Sequence, residues 1–213
     1  MKKTPHLNCP APTGTAAALI QAARELFALH GYEGASVRAI TARAGANLGA
    51  ITYHFGSKEA LYEAVIESAM GPSYERLLGG AEADGPPLDR LEAAVRAFFG
   101  FLHESPDLPR LMLQQLTGSR PISEKVLGIM RGNIRLITSL IEEGQRDGSI
   151  RAGDPQLMAL SIGSQPIWLS LARRALQAGV AIDQDDPRTR AELVSSVVRF
   201  VRAGLAAHPE SER

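Results

Sequence analysis

Residues 155–171 contain no charged side chain, and residues 193–201 contain only Arg199. Each stretch follows an Asp-Pro pair, Asp154-Pro155 and Asp186-Pro187. In such a pair the carboxylate can accept from the free amides of a first helical turn, and the proline brings a φ already suited to that turn. Two long helices are therefore expected, each apolar around much of its circumference, and a helix of that kind must be covered on more than one side. One side can meet the chain's own core. A second copy covers the other most economically, in an isologous four-helix contact across a two-fold axis. Patterning alone thus predicts a homodimer, with Leu157, Leu193, Val197 and Val201 as interface residues.

The rest of the chain from Thr15 onward also shows helical spacing. Leu19, Ala23, Leu26 and Phe27 fall at i, i+4, i+7 and i+8, with Thr15 as the expected cap and Gly31 as the stop. Short helices are expected over about 36–44 and 48–54, then a longer one capped by Ser57 and running to the Gly71-Pro72 break. Further apolar patterns span about 88–104, 106–117 and 122–145. No strand pattern, internal repeat or low-complexity tract interrupts them. About nine helices in an all-α fold is the expectation, with an arm over 1–13, a first domain over 14–60 and a helical domain over 61–208.

The 23 basic residues balance 23 acidic ones, so no global field draws the chain to nucleic acid or an anionic membrane. The distribution is more informative. Residues 1–60 hold Lys2, Lys3, Arg24, Arg38, Arg43 and Lys58 against Glu25, Glu33 and Glu59, leaving the front positive and the remainder negative by the same amount. Cys9 is the lone cysteine, which excludes an intrachain disulfide and fits a reducing cytoplasm. Lys2-Lys3 leads into no apolar run, so neither a signal peptide nor a membrane span is expected.

The informative segment runs over 36–55 and continues through Gly56, Ser57, Lys58, Glu59, Ala60 and Leu61. It reads as helix, tight turn, helix. Gly45 gives the turn its backbone freedom, while Ile40, Ala44 and Ile51 are placed to pack the two helices at a steep angle. The second helix has about two turns, short enough to enter a major groove by its N-terminal end and too short to stand unbraced.

The cluster Gly45, Tyr53-His54-Phe55 and Ser57-Lys58-Glu59-Ala60-Leu61 resembles the tetracycline-repressor (TetR) family of bacterial regulators, over residues 15–66 in sequence and over the whole chain in helix layout. Residues 47–58 are similar to a subgroup string, NLAAINYHFGSK. The resemblance implies an N-terminal helix-turn-helix that binds double-stranded operator DNA, and a C-terminal helical domain for ligand binding and dimerisation. It also implies roles. Tyr53 and His54 match positions that donate to phosphate oxygens, and Lys58 adds a cation beside a positive helix end. Ser36 caps the preceding helix and is placed to touch a phosphate. Base reading falls to Asn47, Leu48, Gly49 and Thr52, with Arg38 as a guanine reader. Leu48 is apolar where many relatives are polar, which shifts the expected readout towards thymine methyls or DNA shape.

In the C-terminal part, Phe98, Phe99, Leu102, Met112, Leu116 and Trp168 are spaced as interior helix faces, which reads first as core. A pocket between helices is also where bundles hold ligands. Trp168, beside helix-interior Pro166, is the preferred lining residue, and His103 and Gln165 are the candidate polar groups. The small-molecule effector is expected to be apolar or aromatic.

Two other classes stand against a regulator. An all-helical enzyme lacks its motifs: residues 161–164 are not a G-x-S-x-G elbow, and the histidines at 6, 30, 54, 103 and 208 have no metal-ligand spacing. No catalytic residue, metal or cofactor is expected. A DNA-independent adaptor would leave the Tyr53, His54 and Lys58 face without a purpose. The residues leave repression and activation both open, and name neither the effector nor the operator.

Overall fold

Both Asp-Pro starts fold as the residues dictate. The Asp154 carboxylate accepts from the amides of Gln156 and Leu157, and the Asp186 carboxylate accepts from Thr189. These details come from a computed structural model that describes residues 14–118 and 121–207. The arm expected over 1–13, Cys9 and the end of the C-terminal domain at 208 lie outside the described residues.

Eleven α-helices and no strand occur among the described residues: α1 (Thr15–Gly34), α2 (Val37–Arg43), α3 (Ala50–Phe55), α4 (Lys58–Met70), α5 (Pro72–Ala81), α6 (Pro87–Glu104), α7 (Leu108–Thr117), α8 (Glu124–Asp147), α9 (Pro155–Leu171), α10 (Arg173–Val180) and α11 (Pro187–Leu205). The sequence spacing accounts for nine of them. The surplus is α5 and α10. Gly71-Pro72 interrupts the chain for a single residue, because proline at a first helical position starts a new helix directly.

The chain divides into two units, residues 1–66 and 67–213. In the first, α1 buries Leu19, Ala22, Ala23, Phe27 and Ala28. Gly14 rather than Thr15 occupies its cap, and Thr15 is its first helical residue. At Gly31 the dihedrals leave the helical region, so the expected stop is a local break and helical structure resumes to Gly34. Phe27 meets Tyr62 edge-on at 4.9 Å, and Tyr32 meets Tyr62 at 5.1 Å. This aromatic knot packs the start of α4 onto α1.

In the second unit, α6 is the central element, with Leu91, Ala94, Val95, Phe98, Phe99, Phe101 and Leu102 buried. It packs most closely on α5, where Gly80 lies against the backbone of Ala93 and Ala94. A Cβ at Gly80 would collide with main-chain atoms, so glycine sets the spacing of this pair. Polar ties cross the bundle: Arg90 reaches Glu143 at 2.8 Å, Asn133 donates to Ser73 at 2.8 Å, and Arg202 of α11 reaches both Asp89 and Glu92 of α6 at 2.6 Å. The Arg202 guanidinium is held above its ordinary value, first by the bonds to Glu92 and Asp89. An isolated antiparallel pairing of Ile150 with Ala206 joins the loop after α8 to the end of α11.

The two long apolar helices use their faces differently. α11 turns Val197, Val198, Val201 and Leu205 inward, and Val197 and Val201 are buried within the chain. That placement corrects the expectation that they face a partner; Phe200, 70% exposed, is the large apolar residue that α11 presents outward. α9 buries Met158, Ala159, Ile162 and Pro166 and continues through Pro166 to Leu171. Its exposed Leu157, Leu160, Trp168 and Leu171, at i, i+3, i+11 and i+14, lie on the opposite side. No helix of the described residues is long and apolar enough to cross a membrane.

Candidate nucleic-acid interface and effector cavity

In the first unit the helix-turn-helix is built from local signals. Ser36 Oγ accepts from the Ala39 amide at 3.1 Å and opens α2. Thr41 is buried and turns its hydroxyl back onto the Val37 carbonyl at 3.0 Å. The chain leaves α2 through Gly45 at φ 62, a left-handed conformation that a side chain would strain. The Ala46 amide closes the turn on the Thr41 carbonyl at 2.9 Å. Asn47 accepts from Ala50 at 3.1 Å, and α3 starts at Ala50, two residues later than the apolar spacing predicts. Asn47 and Leu48 therefore stand in the turn that leads into the helix.

Ile40, Ala50 and Ile51 are buried and brace α2 and α3 against α1. The outward residues are Arg38, Asn47, Leu48, Gly49, Thr52, Tyr53 and His54, all exposed. Tyr53 is 85% exposed, which excludes a core role for its ring, and it packs edge-on against His54 at 4.9 Å. Phe55 is half-buried. Ser57 caps α4 through the Ala60 amide at 3.0 Å, and Lys58 at the start of α4 lies 4.3 Å above the Tyr32 ring. Of the nine expected DNA-contacting residues, Asn47, Gly49, Tyr53 and His54 line one open recess, Arg38, Leu48 and Thr52 are exposed, and Ser36 and Lys58 are engaged by the Ala39 amide and the Tyr32 ring.

Two features of this surface are not visible in the motif. Gly14, Thr15 and Ala18 at the start of α1 line the same open recess as Asn47, Gly49, Tyr53 and His54. Uncapped amides of a helix start favour anions. Only the contact between α1 and α3 joins these residues, so local spacing could not find them. Arg43, outside the expected set, is held by Glu25 of α1.

The second unit contains a cavity of about 450 Å³ between α6, the end of α9 and the start of α11. Phe99, Leu102 and His103 of the expected ligand set line it, joined by Leu193, expected at a dimer interface. The remaining expected ligand residues lie elsewhere. Phe98 is core, Met112 and Gln165 are half-buried, Leu116 is exposed, and Trp168 is 59% exposed on the outer face of α9. The reason is the composition of α9: with no charged residue to mark a wet side, its sequence does not say which apolar face turns inward. Arg96, Arg173 and Arg190 also reach the cavity and were not singled out by the sequence. His103 is held below its ordinary value, first by burial, then by the charges of Arg190 and Arg173, against an opposing effect of Glu104. Among the described residues no group of three or more His, Cys, Asp or Glu is placed to hold a metal ion.

Residues 19–65 match the family described as "Bacterial regulatory proteins, tetR family", and residues 84–171 match "Tetracyclin repressor-like, C-terminal domain". The chain is 27% identical over 197 residues to the HTH-type transcriptional activator FasR of Mycolicibacterium smegmatis, covering 90% of this chain and 83% of that protein. It is 46% identical over 54 residues to the HTH-type transcriptional repressor AcnR of Corynebacterium glutamicum, covering 25% of this chain and 29% of that protein. In fold it is similar to the transcriptional regulator FadR from Bacillus subtilis, solved in complex with stearoyl-CoA, with a TM-score of 0.72 at 22% identity over 88% of this chain and 97% of that one.

Proposed function

The chain belongs to the tetR family of bacterial regulatory proteins, and from that membership we propose that it is a cytoplasmic, ligand-responsive repressor that grips a palindromic operator as a homodimer and is released by a small molecule. The observation that carries this reading is the exposed run Asn47, Leu48, Gly49, Thr52, Tyr53 and His54 on a two-turn element braced from behind by Ile40 and Ile51. An element of that size fits a major groove, with base edges met at its start and phosphates at its end. Tyr53 and His54 supply donors at that end, Arg38 supplies a two-pronged donor beside it, and the α1 start adds main-chain amides.

The second copy supplies the second half-site, and the uncovered stripe of Leu157, Leu160 and Trp168 on α9, with Phe200 on α11, is the surface that a second copy covers. This replaces Val197 and Val201 as the interface. The effector enters the second unit, where Phe99, Leu102 and His103 line the cavity. FadR from Bacillus subtilis, holding stearoyl-CoA, offers a precedent for an effector with a long apolar portion. Helix α4 runs across the boundary between residues 66 and 67, so a change in the second unit reaches the first through continuous helix. The effector must favour the dimer arrangement that fits DNA poorly, or nothing is switched.

A specific observation also favours activation: FasR, which this chain matches over 90% of its length, is named an activator. The same grip serves either sign, which depends on where the operator lies relative to the promoter. Selection of bound duplexes from a random pool, with the full chain, tests the common part. The expected result is a palindrome with half-site centres about one helical turn, or a multiple of it, apart. Recovery of no enriched sequence would sink the reading.

A further inference from the structure

The cavity in the second unit carries more positive charge than an apolar effector needs. Its wall includes the guanidinium groups of Arg96, Arg173 and Arg190 against the single carboxylate of Glu104. Glu104 is already engaged, 2.6 Å from Arg76 outside the cavity. Arg173 is paired with Asp185. Arg96 reaches only the Ser195 hydroxyl, at 3.5 Å, and Arg190 donates to the Gln184 carbonyl at 3.1 Å. Among the described residues, neither Arg96 nor Arg190 has a carboxylate at ion-pair distance, while the charge of Arg190 acts on the capping carboxylate of Asp186.

Guanidinium groups that line one concavity without a paired carboxylate keep N–H donors that an oxyanion can accept from. His103 lines the same cavity, held below its ordinary value first by burial and then by Arg190 and Arg173 against Glu104, and its ring nitrogens can hydrogen-bond a ligand. The same wall carries the apolar side chains of Phe99, Leu102, Pro106, Leu193 and Val194. A wall that combines guanidinium groups with hydrocarbon suits a molecule that carries both an oxyanion and an apolar body.

We propose that this cavity binds an amphiphilic organic oxyanion, its carboxylate or phosphate head held between Arg96 and Arg190 and its hydrocarbon body laid against Phe99, Leu102 and Leu193. The assignment refines the expected apolar effector, and rests on the reading above only for the claim that occupancy releases DNA. The site is formed by α6, the end of α9 and the start of α11, so the ligand touches the α9 and α11 ends directly.

The test is calorimetric titration of the full chain with octanoate, octyl phosphate, octanol and octylammonium, in the wild type and in the Arg96→Gln and Arg190→Gln variants. The expected result is one octanoate per chain, with octanol and octylammonium at least tenfold weaker and each substitution weakening octanoate at least tenfold. Octyl phosphate exceeding octanoate with the same arginine dependence would support the site and assign it to a phosphate head; the reverse order assigns it to a carboxylate. Absent octanoate and octyl phosphate binding, octanol binding equally well, or indifference to both substitutions would each overturn it. Should Arg190→Gln lower thermal stability through loss of the Gln184 bond, Arg96→Gln, whose side chain is exposed, carries the result. Anisotropy of a labelled, selected duplex separates this proposal from the functional one. Arginine-dependent binding without DNA release would leave the anion site standing and sink the effector reading. DNA release by a neutral compound, indifferent to both arginines, would do the reverse.

Discussion

The two units solve the same problem, burying helices, by opposite means. The first holds two short helices, α2 and α3, whose faces are marked residue by residue by a cap, a left-handed glycine and two buried isoleucines. The second is built from long helices such as α8 and α9, several of which carry apolar residues on more than one side. Short elements with strict local signals leave little choice of orientation. Long apolar elements leave several, and packing decides among them.

This contrast can be broken or sharpened experimentally. The largest effect belongs to the first unit: operator affinity is expected to fall by roughly 10³–10⁵ between about 50 mM and about 200 mM salt if about six to ten phosphates are contacted. Over the same range, self-association through the second unit's apolar stripe should hold. Filter binding and sedimentation, run in parallel, check both, and salt-insensitive DNA binding would remove the electrostatic role of the first unit.

Next in size is Trp168→Glu. An unpaired carboxylate placed in an apolar contact costs about 2–5 kcal/mol, so the dimer dissociation constant should rise by roughly 30-fold or more while the single chain stays folded. Sedimentation velocity with circular dichroism distinguishes this outcome from unfolding. An unchanged dimer would show that the stripe on α9 faces something else.

A third change probes packing inside the second unit alone. Gly80→Ala forces α5 and α6 apart at Ala94 and should cost about 1–3 kcal/mol by chemical denaturation. Stability close to that of the wild type would mean that this pair has slack.

The smallest effect concerns pH. Because His103 is held below its ordinary value in the folded chain, it binds protons less readily there than when unfolded. Its contribution is complete above the ordinary imidazole value and is lost as pH falls through the folded one. Melting temperature should therefore drop less for His103→Gln than for the wild type between about pH 7 and about pH 5. Parallel curves would place His103 outside any charged environment.

How much of this was legible in the sequence follows the same division. Ser36, Gly45 and Ser57 mark the ends of short helices by local chemistry, and the structure keeps those roles with α3 starting two residues later. The start of α1 was missed as part of the recess because its neighbours are thirty residues away in the chain. In the second unit the Asp-Pro caps were legible for the same local reason. Gly79-Gly80 hid α5, since paired glycines weaken a helix that only tight packing on α6 rescues. Trp168 and Val197 show the limit most plainly. Both are large apolar residues on apolar helices, and only the position of α6 and α8 decides that valine turns inward and tryptophan outward.

The pairing of Ile150 with Ala206 has a practical side. Arg151 donates its amide to the Leu205 carbonyl at 2.8 Å and its side-chain Nε to the Gly204 carbonyl at 2.6 Å, while Ala207 returns a bond to Ser149 at 3.0 Å. These few residues act as a buckle that joins the exit of α8 to the last turn of α11. Trimming the chain ahead of Ala206 would undo it, so what looks like a dispensable tail is the fastener of the strap.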